Sequence, residues 1–182
     1  LAIMQSKTDS VYSLAAGKGL RDFLMLSTCN RTEFYACGPV HIVKEIAIEV
    51  LNLTDSDFDS YFYAYQGNDA VRHFFRVASG LDSQIIGDYE IVGQVKKSVQ
   101  LSRQFRLIGT LTDRISNFAF QASKEVKSKT NLSNGRYSVS YATAELINSR
   151  QPEIKNKNIL IAGTGEIGQA MARNLSEYFP AC

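Results

Sequence analysis

The stretch Leu24-Met25-Leu26-Ser27-Thr28-Cys29-Asn30-Arg31-Thr32-Glu33-Phe34-Tyr35 decides how the first half of the chain is read. An apolar run of strand length stops in small polar residues, a cysteine and an arginine. Apolar alternation then resumes at Phe34 and Tyr35. Strands are expected over residues 23–27 and 33–37, so a thiol is presented where a buried strand breaks off. If residues 27–31 stay extended, Cys29 and Arg31 share one side. A guanidinium there favours the reactive thiolate, or clamps a substrate carboxylate in a two-pronged grip. The alternative is a buried structural cysteine, against which the polar neighbours Thr28, Asn30, Arg31 and Thr32 argue.

Outward from this stretch the pattern is mostly helical. Val11, Tyr12, Leu14 and Ala15 suggest a helix ended by Gly17 and Gly19. After the Gly38-Pro39 break, Ile42, Ile46 and Val50 recur at helical spacing. The acidic residues 55–60 read as a loop, and the alternating aromatics of 61–66 as a further strand. Asn68 is the expected N-cap of a helix whose core-facing stripe is Val71, Phe74, Phe75 and Ala78, closed by Gly80. Residues 81–93 read as a structured loop leading into a helix over 94–107, with Gly109 as its stop. Thr110-Leu111-Thr112-Asp113 resembles a capping box, and Leu111, Ile115, Phe118, Ala122 and Val126 line one face of the helix that follows. A turn-rich break at 132–136 precedes a helix over 138–149. The polar connection 151–157 is the expected domain boundary, giving domains 1–155 and 156–182.

The 182 residues, 45% hydrophobic and 21% charged, suit a soluble globular protein. No run approaches the ~18 apolar residues of a membrane span, and residues 1–10 lack the order of a signal peptide. The first residue is not Met, so the true N-terminus is expected upstream. Three cysteines (Cys29, Cys37, Cys182) and two distant histidines (His41, His73) suggest a reducing, cytoplasmic setting with neither a disulfide framework nor a metal site. Residues 94–136 carry nine bases against two acids, a balance of +7 within a total of +2. That basic stretch is either a solvated helical surface or a face for a polyanion such as RNA.

Near the end the chain changes character. Asn158-Ile159-Leu160-Ile161-Ala162 reads as a compact strand, followed at once by Gly163-Thr164-Gly165-Glu166-Ile167-Gly168 and a helix to about Tyr178. This is the strand, glycine turn and helix that a dinucleotide fingerprint requires. Gly163 permits the tight turn, Gly165 a close approach to a pyrophosphate, and Gly168 close packing of helix on strand. One strand and helix cannot make a doubly wound sheet, so the chain is expected to be part of a longer enzyme. A cysteine nucleophile beside a nicotinamide site suggests one chemistry: thioester formation, then hydride reduction to an aldehyde.

Residues 27–35 resemble the signature of the glutamyl-tRNA reductases. So does Ala78-Ser79-Gly80-Leu81-Asp82-Ser83-Gln84-Ile85-Ile86-Gly87-Asp88-Tyr89-Glu90-Ile91-Val92-Gly93-Gln94-Val95-Lys96, and Ser138-Val139-Ser140-Tyr141-Ala142 and the glycine turn follow in the family's order. The resemblance implies an α/β protein: an α+β catalytic domain with a small sheet packed by helices, then the first strand–helix unit of a Rossmann-type domain. It implies NADPH-dependent reduction of glutamyl-tRNA to glutamate-1-semialdehyde, the first step of tetrapyrrole synthesis from glutamate. Cys29 then corresponds to the nucleophile and His73 to a histidine important for activity. Thr28, Asn30, Arg31, Ser83, Asp88, Tyr89, Glu90 and Gln94 fall at substrate-binding positions, and Gly163, Thr164, Gly165, Glu166, Ile167 and Gly168 at the cofactor site.

It further implies a homodimer formed through a C-terminal domain absent here, and a next enzyme that takes the aldehyde. Asp88-Tyr89-Glu90 departs from the family's Glu-Pro-Gln, which keeps open a tRNA-binding or regulatory paralogue without reductase activity. Another thioester-forming dehydrogenase is a third reading. The 182-residue piece alone is expected to be inactive as a reductase, with half its cofactor site missing.

Overall fold

The computed structural model describes residues 3, 7–88, 90–130, 132, 139–150, 153 and 157–179. Tyr89, the side chain of Glu166, Cys182, and most of the expected break at 132–136 and connection at 151–157 lie outside them. The described residues form eight helices and two strands: α1 (Thr8–Gly17), β1 (Phe23–Ser27), β2 (Thr32–Ala36), α2 (Val40–Leu51), α3 (Asp55–Tyr61), α4 (Gly67–Ala78), α5 (Glu90–Gln104), α6 (Thr110–Lys129), α7 (Val139–Arg150) and α8 (Glu166–Tyr178). Helices packed on a small sheet make this an α/β fold of the α+β kind expected.

The two strands pair antiparallel, from Phe23 opposite Ala36 to Ser27 opposite Thr32. Successive side chains of a strand point to opposite faces, and β1 uses both. Phe23 and Met25 pack with Val11, Tyr12, Ala15, Ile46 and Leu107. Leu24 and Leu26 pack with Phe74, Val77, Ala78, Ile91, Val95, Val99 and Ala119. The apolar run of β1 is therefore continuous because helices cover the sheet on both faces. In β2, Phe34 and Ala36 join the first cluster and Tyr35 the second. The register puts Glu33 opposite Leu26, on the face shared with Tyr35 and α4.

Several local expectations change. Residues 55–60 are helical: Thr54 accepts from the Asp57 amide, and the Asp57 carboxylate accepts from the Thr54 amide at 2.9 Å, a capping box written in what looked like acidic loop. Residues 62–66 are extended without a ladder partner among the described residues, and Tyr61 closes α3 instead. The cap position of α4 is Gln66 rather than Asn68, and the helix runs from Gly67. Gly80, at φ +72°, does close α4. Helix α5 starts at Glu90, four residues early, and ends where Arg106 turns left-handed at φ 56° rather than at Gly109. Gly109 instead precedes α6 and gives its N–H to Asp22 at 2.7 Å. The Thr110 capping box does not form: Gly109 takes the N-cap position, Thr110 is already helical, and the Asp113 carboxylate pairs with Arg103.

The apolar stripe of α6 is only partly covered. Ser116, Ala119 and Ser123 are buried, whereas Leu111 is 61% and Phe118 59% exposed. Small residues let α6 lie close to its neighbours, with Ile115 and Phe120 packed at the edge of the core and Leu111 and Phe118 left outside. With Val71 and Phe75 of α4, the residues Ile115, Phe118 and Ala122 line a shallow groove of about 450 Å³. The core face of α4 is accordingly Phe74, Val77 and Ala78.

Helix α7 packs against α8 around Ala144, Leu175 and Phe179. Tyr178 Oη donates to Tyr141 Oη at 2.7 Å, and Asn174 to Ser140 Oγ at 3.0 Å. This packing crosses the sequence interval expected to separate the domains. Residues 158–162 carry no ladder bonds among the described residues. Their alternation is still strand-like, with Ile159 and Ile161 packed on α7 and α8 and Leu160 92% exposed.

Candidate functional site

The hairpin between β1 and β2 sets the site. The Thr28 amide donates to the Arg31 carbonyl at 2.8 Å. Thr28 Oγ1 accepts from the amides of Asn30 and Arg31, each at 3.2 Å. A threonine hydroxyl bonding backbone two and three residues on closes a turn. Residues 28–31 are thus not extended, and the expectation that Cys29 and Arg31 lie side by side on a strand is corrected. Cys29 stands exposed at the tip as a free thiol, beside the exposed Asn30. Arg31 lies where the chain re-enters the sheet.

The Arg31 guanidinium meets two acids. Nη1 lies 2.7 Å from Glu33 Oε1 and 3.3 Å from Asp82 Oδ2, and Nη2 donates to the Asp82 carbonyl. Burial works against the charge of Arg31, and the Glu33 and Asp82 carboxylates outweigh it, so its pKa is raised. Glu33 is shared. Its Oε1 is also 3.2 Å from His73 Nε2, and its Oε2 accepts from Tyr35 Oη. Burial first, then the Glu33 charge, push the Tyr35 phenol far up, so it is the neutral donor in this pair. The His73 ring stands between Tyr35, with centroids 6.5 Å apart, and Tyr65, at 4.9 Å. Arg76, one turn along α4 from Arg72, reaches Asp82 at 3.7 Å.

The structure therefore joins Arg31 to His73 through Glu33, and places Cys29 at the tip of the same hairpin. Ser83 is half-buried next to Asp82 in the loop between α4 and α5. Asp88, Glu90 and Gln94 gather at the start of α5: Asp88 Oδ1 accepts from the Glu90 amide at 3.0 Å, Glu90 is exposed, and Gln94 is half-buried one turn on. No described contact ties these three to Cys29 or Arg31. Glu33, Asp82 and Tyr65 are the members that sequence reasoning left without a role. Glu33 was readable, as an acid in phase with Tyr35 on a buried strand face. Asp82 and Tyr65 depend on contacts between distant segments.

At the glycine turn, Gly163 has φ +138° and Gly165 precedes α8 with no side-chain cap. A Cβ on Gly163 or Gly165 would meet nothing within 4 Å, whereas one on Gly168 would strike the Gly163 carbonyl. Gly168 thus lets the helix start lie against the turn, Gly163 and Gly165 leave open space there, and the first amides of a helix have no partner within it. Gln169 Nε2 donates to the Thr164 carbonyl at 3.0 Å, and Ile167 is exposed in the first turn. These residues fit a dinucleotide pyrophosphate.

Residues 1–130 match the family described as glutamyl-tRNAGlu reductase, N-terminal domain. The chain is similar to glutamyl-tRNA reductase 2 of Flavobacterium johnsoniae, 42% identical over 166 residues that make up 90% of this chain and 38% of the relative. It is also similar to the glutamyl-tRNA reductase of Aquifex aeolicus, 35% identical over 161 residues, or 87% and 40% of the two chains. Among solved structures, the glutamyl-tRNA reductase from Methanopyrus kandleri superposes with a TM-score of 0.65 at 30% identity, over 93% of this chain and 40% of that one. The chain thus spans about 40% of the length of such relatives. By the match over residues 1–130, and by the hairpin and helices that hold its motif residues, this chain belongs to the glutamyl-tRNA reductase N-terminal domain family.

Proposed function

We propose that the full-length protein carrying this region reduces glutamyl-tRNA to glutamate-1-semialdehyde for tetrapyrrole synthesis. The observation that carries this reading is an exposed Cys29 on the same hairpin as the Arg31–Glu33–His73 cluster. The Cys29 thiolate attacks the glutamyl ester carbonyl, a C–S bond forms, and the ester C–O bond breaks. The tRNA ribose hydroxyl leaves with a proton. Arg31 anchors the glutamyl carboxylate, and Thr28 keeps the hairpin tip in its turn. Asn30, Ser83, Asp88, Tyr89, Glu90 and Gln94 are carried as substrate-binding residues. His73, held by Glu33, stands as the group able to move a proton at the leaving oxygen.

NADPH, when bound, would supply the hydride for reduction of the thioester to the aldehyde. Gly163, Thr164, Gly165, Glu166, Ile167 and Gly168 would hold its pyrophosphate. The division of the chain at 155/156 belongs to this reading, as do a dimer formed by parts of the protein outside this region and hand-over of the aldehyde to a following enzyme. The basic α5–α6 surface serves tRNA. Lys127 there is lowered first by burial and then by the nearby Lys96, against the pull of Asp88. Among the described residues no helix is long and apolar enough to cross a membrane.

The test is Cys29→Ser in the full-length protein. Reductase activity is expected to fall at least a thousandfold, since a hydroxyl is a poor nucleophile at neutral pH. Turnover at the wild-type rate would end the thioester mechanism. Withholding NADPH from the wild type should leave a thioester on Cys29, or free glutamate after its hydrolysis.

A further inference from the structure

The segment between α3 and α4 sorts its aromatics by side. Phe62 turns inward, with its ring 6.4 Å from Phe34 and stacked at 4.7 Å on Phe58. Tyr63 and Tyr65, in phase with each other on the extended backbone, stay outside at 73% and 50% exposure. Their rings meet edge to face at 5.3 Å. Large aromatic faces left in water beside a reaction centre are a feature of proteins that stack unpaired bases.

The pair is not remote from the chemistry. Tyr65 lies 4.9 Å from the His73 ring, and His73 reaches the carboxylate that holds Arg31. On α4, Arg72 and Arg76 flank His73 and are 75% and 54% exposed. Each has one acidic contact, Asp69 at 3.4 Å for Arg72 and Asp82 at 3.7 Å for Arg76.

We propose that Tyr63 and Tyr65 form the stacking platform for the unpaired 3′ end of the aminoacylated RNA, with Arg72 and Arg76 beside it for the backbone phosphates. This rests on the reading that the substrate is an aminoacyl-tRNA. The ester is made to the terminal ribose, so the last base must lie one sugar away from the carbonyl that Cys29 attacks. A flat, sequence-tolerant surface is what a common terminus needs, because every base has a π face. Arginine adds charge to the phosphates without reading sequence.

The experiment compares Tyr63→Leu, Tyr65→Leu and the matching Phe variants in the full-length protein, with glutamyl-tRNA as substrate. Leu keeps the bulk and loses the π face, whereas Phe keeps the face and loses the hydroxyl. KM is expected to rise about tenfold in the Leu variants and to stay within about twofold in the Phe variants, with kcat changing less than KM. Binding of a labelled single-stranded RNA ending in CCA, followed by fluorescence anisotropy, should show the same order without any turnover. An unchanged KM in both Leu variants overturns the platform, and so does an equal loss in Phe and Leu. A wild-type protein that fails to reduce glutamyl-tRNA, yet binds the CCA-ended RNA in a tyrosine-dependent way, would sink the proposed reaction and leave the platform standing.

Discussion

Two glycine-marked segments, the loop from Leu81 to Asp88 and the turn from Gly163 to Gly168, use the missing side chain in opposite ways. In the first, Gly87 has φ +90° and its Cα faces the Leu132 carbonyl so closely that no Cβ fits. The space is already taken by the protein's own backbone. In the second, a Cβ on Gly165 would meet nothing. In the proposed function that open space takes the dinucleotide pyrophosphate. The same residue type thus marks a closed joint in one place and an open seat in the other, and only the neighbouring atoms tell them apart.

The closed joint has a purpose in the site. The Gly87 amide donates to the Gly80 carbonyl at 2.9 Å, which pinches the loop shut. Between those residues lies Asp82, which grips Arg31 through both its carboxylate and its carbonyl. Gly87→Ala tests the comparison most severely. A forbidden φ and a backbone clash together should cost on the order of 3 kcal/mol, read as a lower midpoint in urea unfolding. A loss under about 1 kcal/mol would mean that the loop opens easily and that Asp82 is not held by it.

Gly165→Ala breaks the other half. The added methyl should leave stability within about 0.5 kcal/mol, since it strikes nothing. In the full-length protein it should weaken NADPH binding at least tenfold, because the methyl occupies the approach to the helix amides. Calorimetry decides: unchanged affinity would make the turn a purely structural element.

How much of this was legible depended on whether local pattern or distant packing set the outcome. β1 and β2 were readable because strand alternation is a local signal, whereas the turn at residues 28–31, closed by Thr28, was read as extended. The glycine turn was readable because its pattern is local too. The stripe of α6 was legible as one helix face, but periodicity does not say what covers such a face. There the core took the small face of Ser116, Ala119 and Ser123. Helix α3 was hidden by its acids, which serve as cap and first turn. Residues 158–162 alternate as a strand does, yet a ladder needs a partner that pattern alone cannot supply. In the site, Cys29 and Arg31 stood out by residue type. Asp82, fifty-one positions from Arg31, could only be placed by the fold.

Tyr35 gives the finest probe of the closed region, because it reports whether the Glu33 cluster is as dry as the packing implies. Its phenol is pushed up by burial and by Glu33. In the unfolded chain a tyrosine ionises near pH ~10. Below that both states carry the proton, and the contribution of Tyr35 to stability is fully present. As pH climbs past it, the unfolded phenol ionises while the folded one does not. Stability is therefore lost as pH rises toward the higher folded value. Tyr35→Phe should cost about 1 kcal/mol at pH 7, the worth of one buried hydrogen bond, and should flatten the alkaline decline by up to one proton. Tyr12 is raised as well, mainly by burial, so the decline should become shallower rather than vanish. Urea unfolding of both proteins from pH 9 to 11 makes the comparison. Parallel alkaline slopes would show that the phenol ionises alike in both states, and that the acid joining Arg31 to His73 sits in water after all.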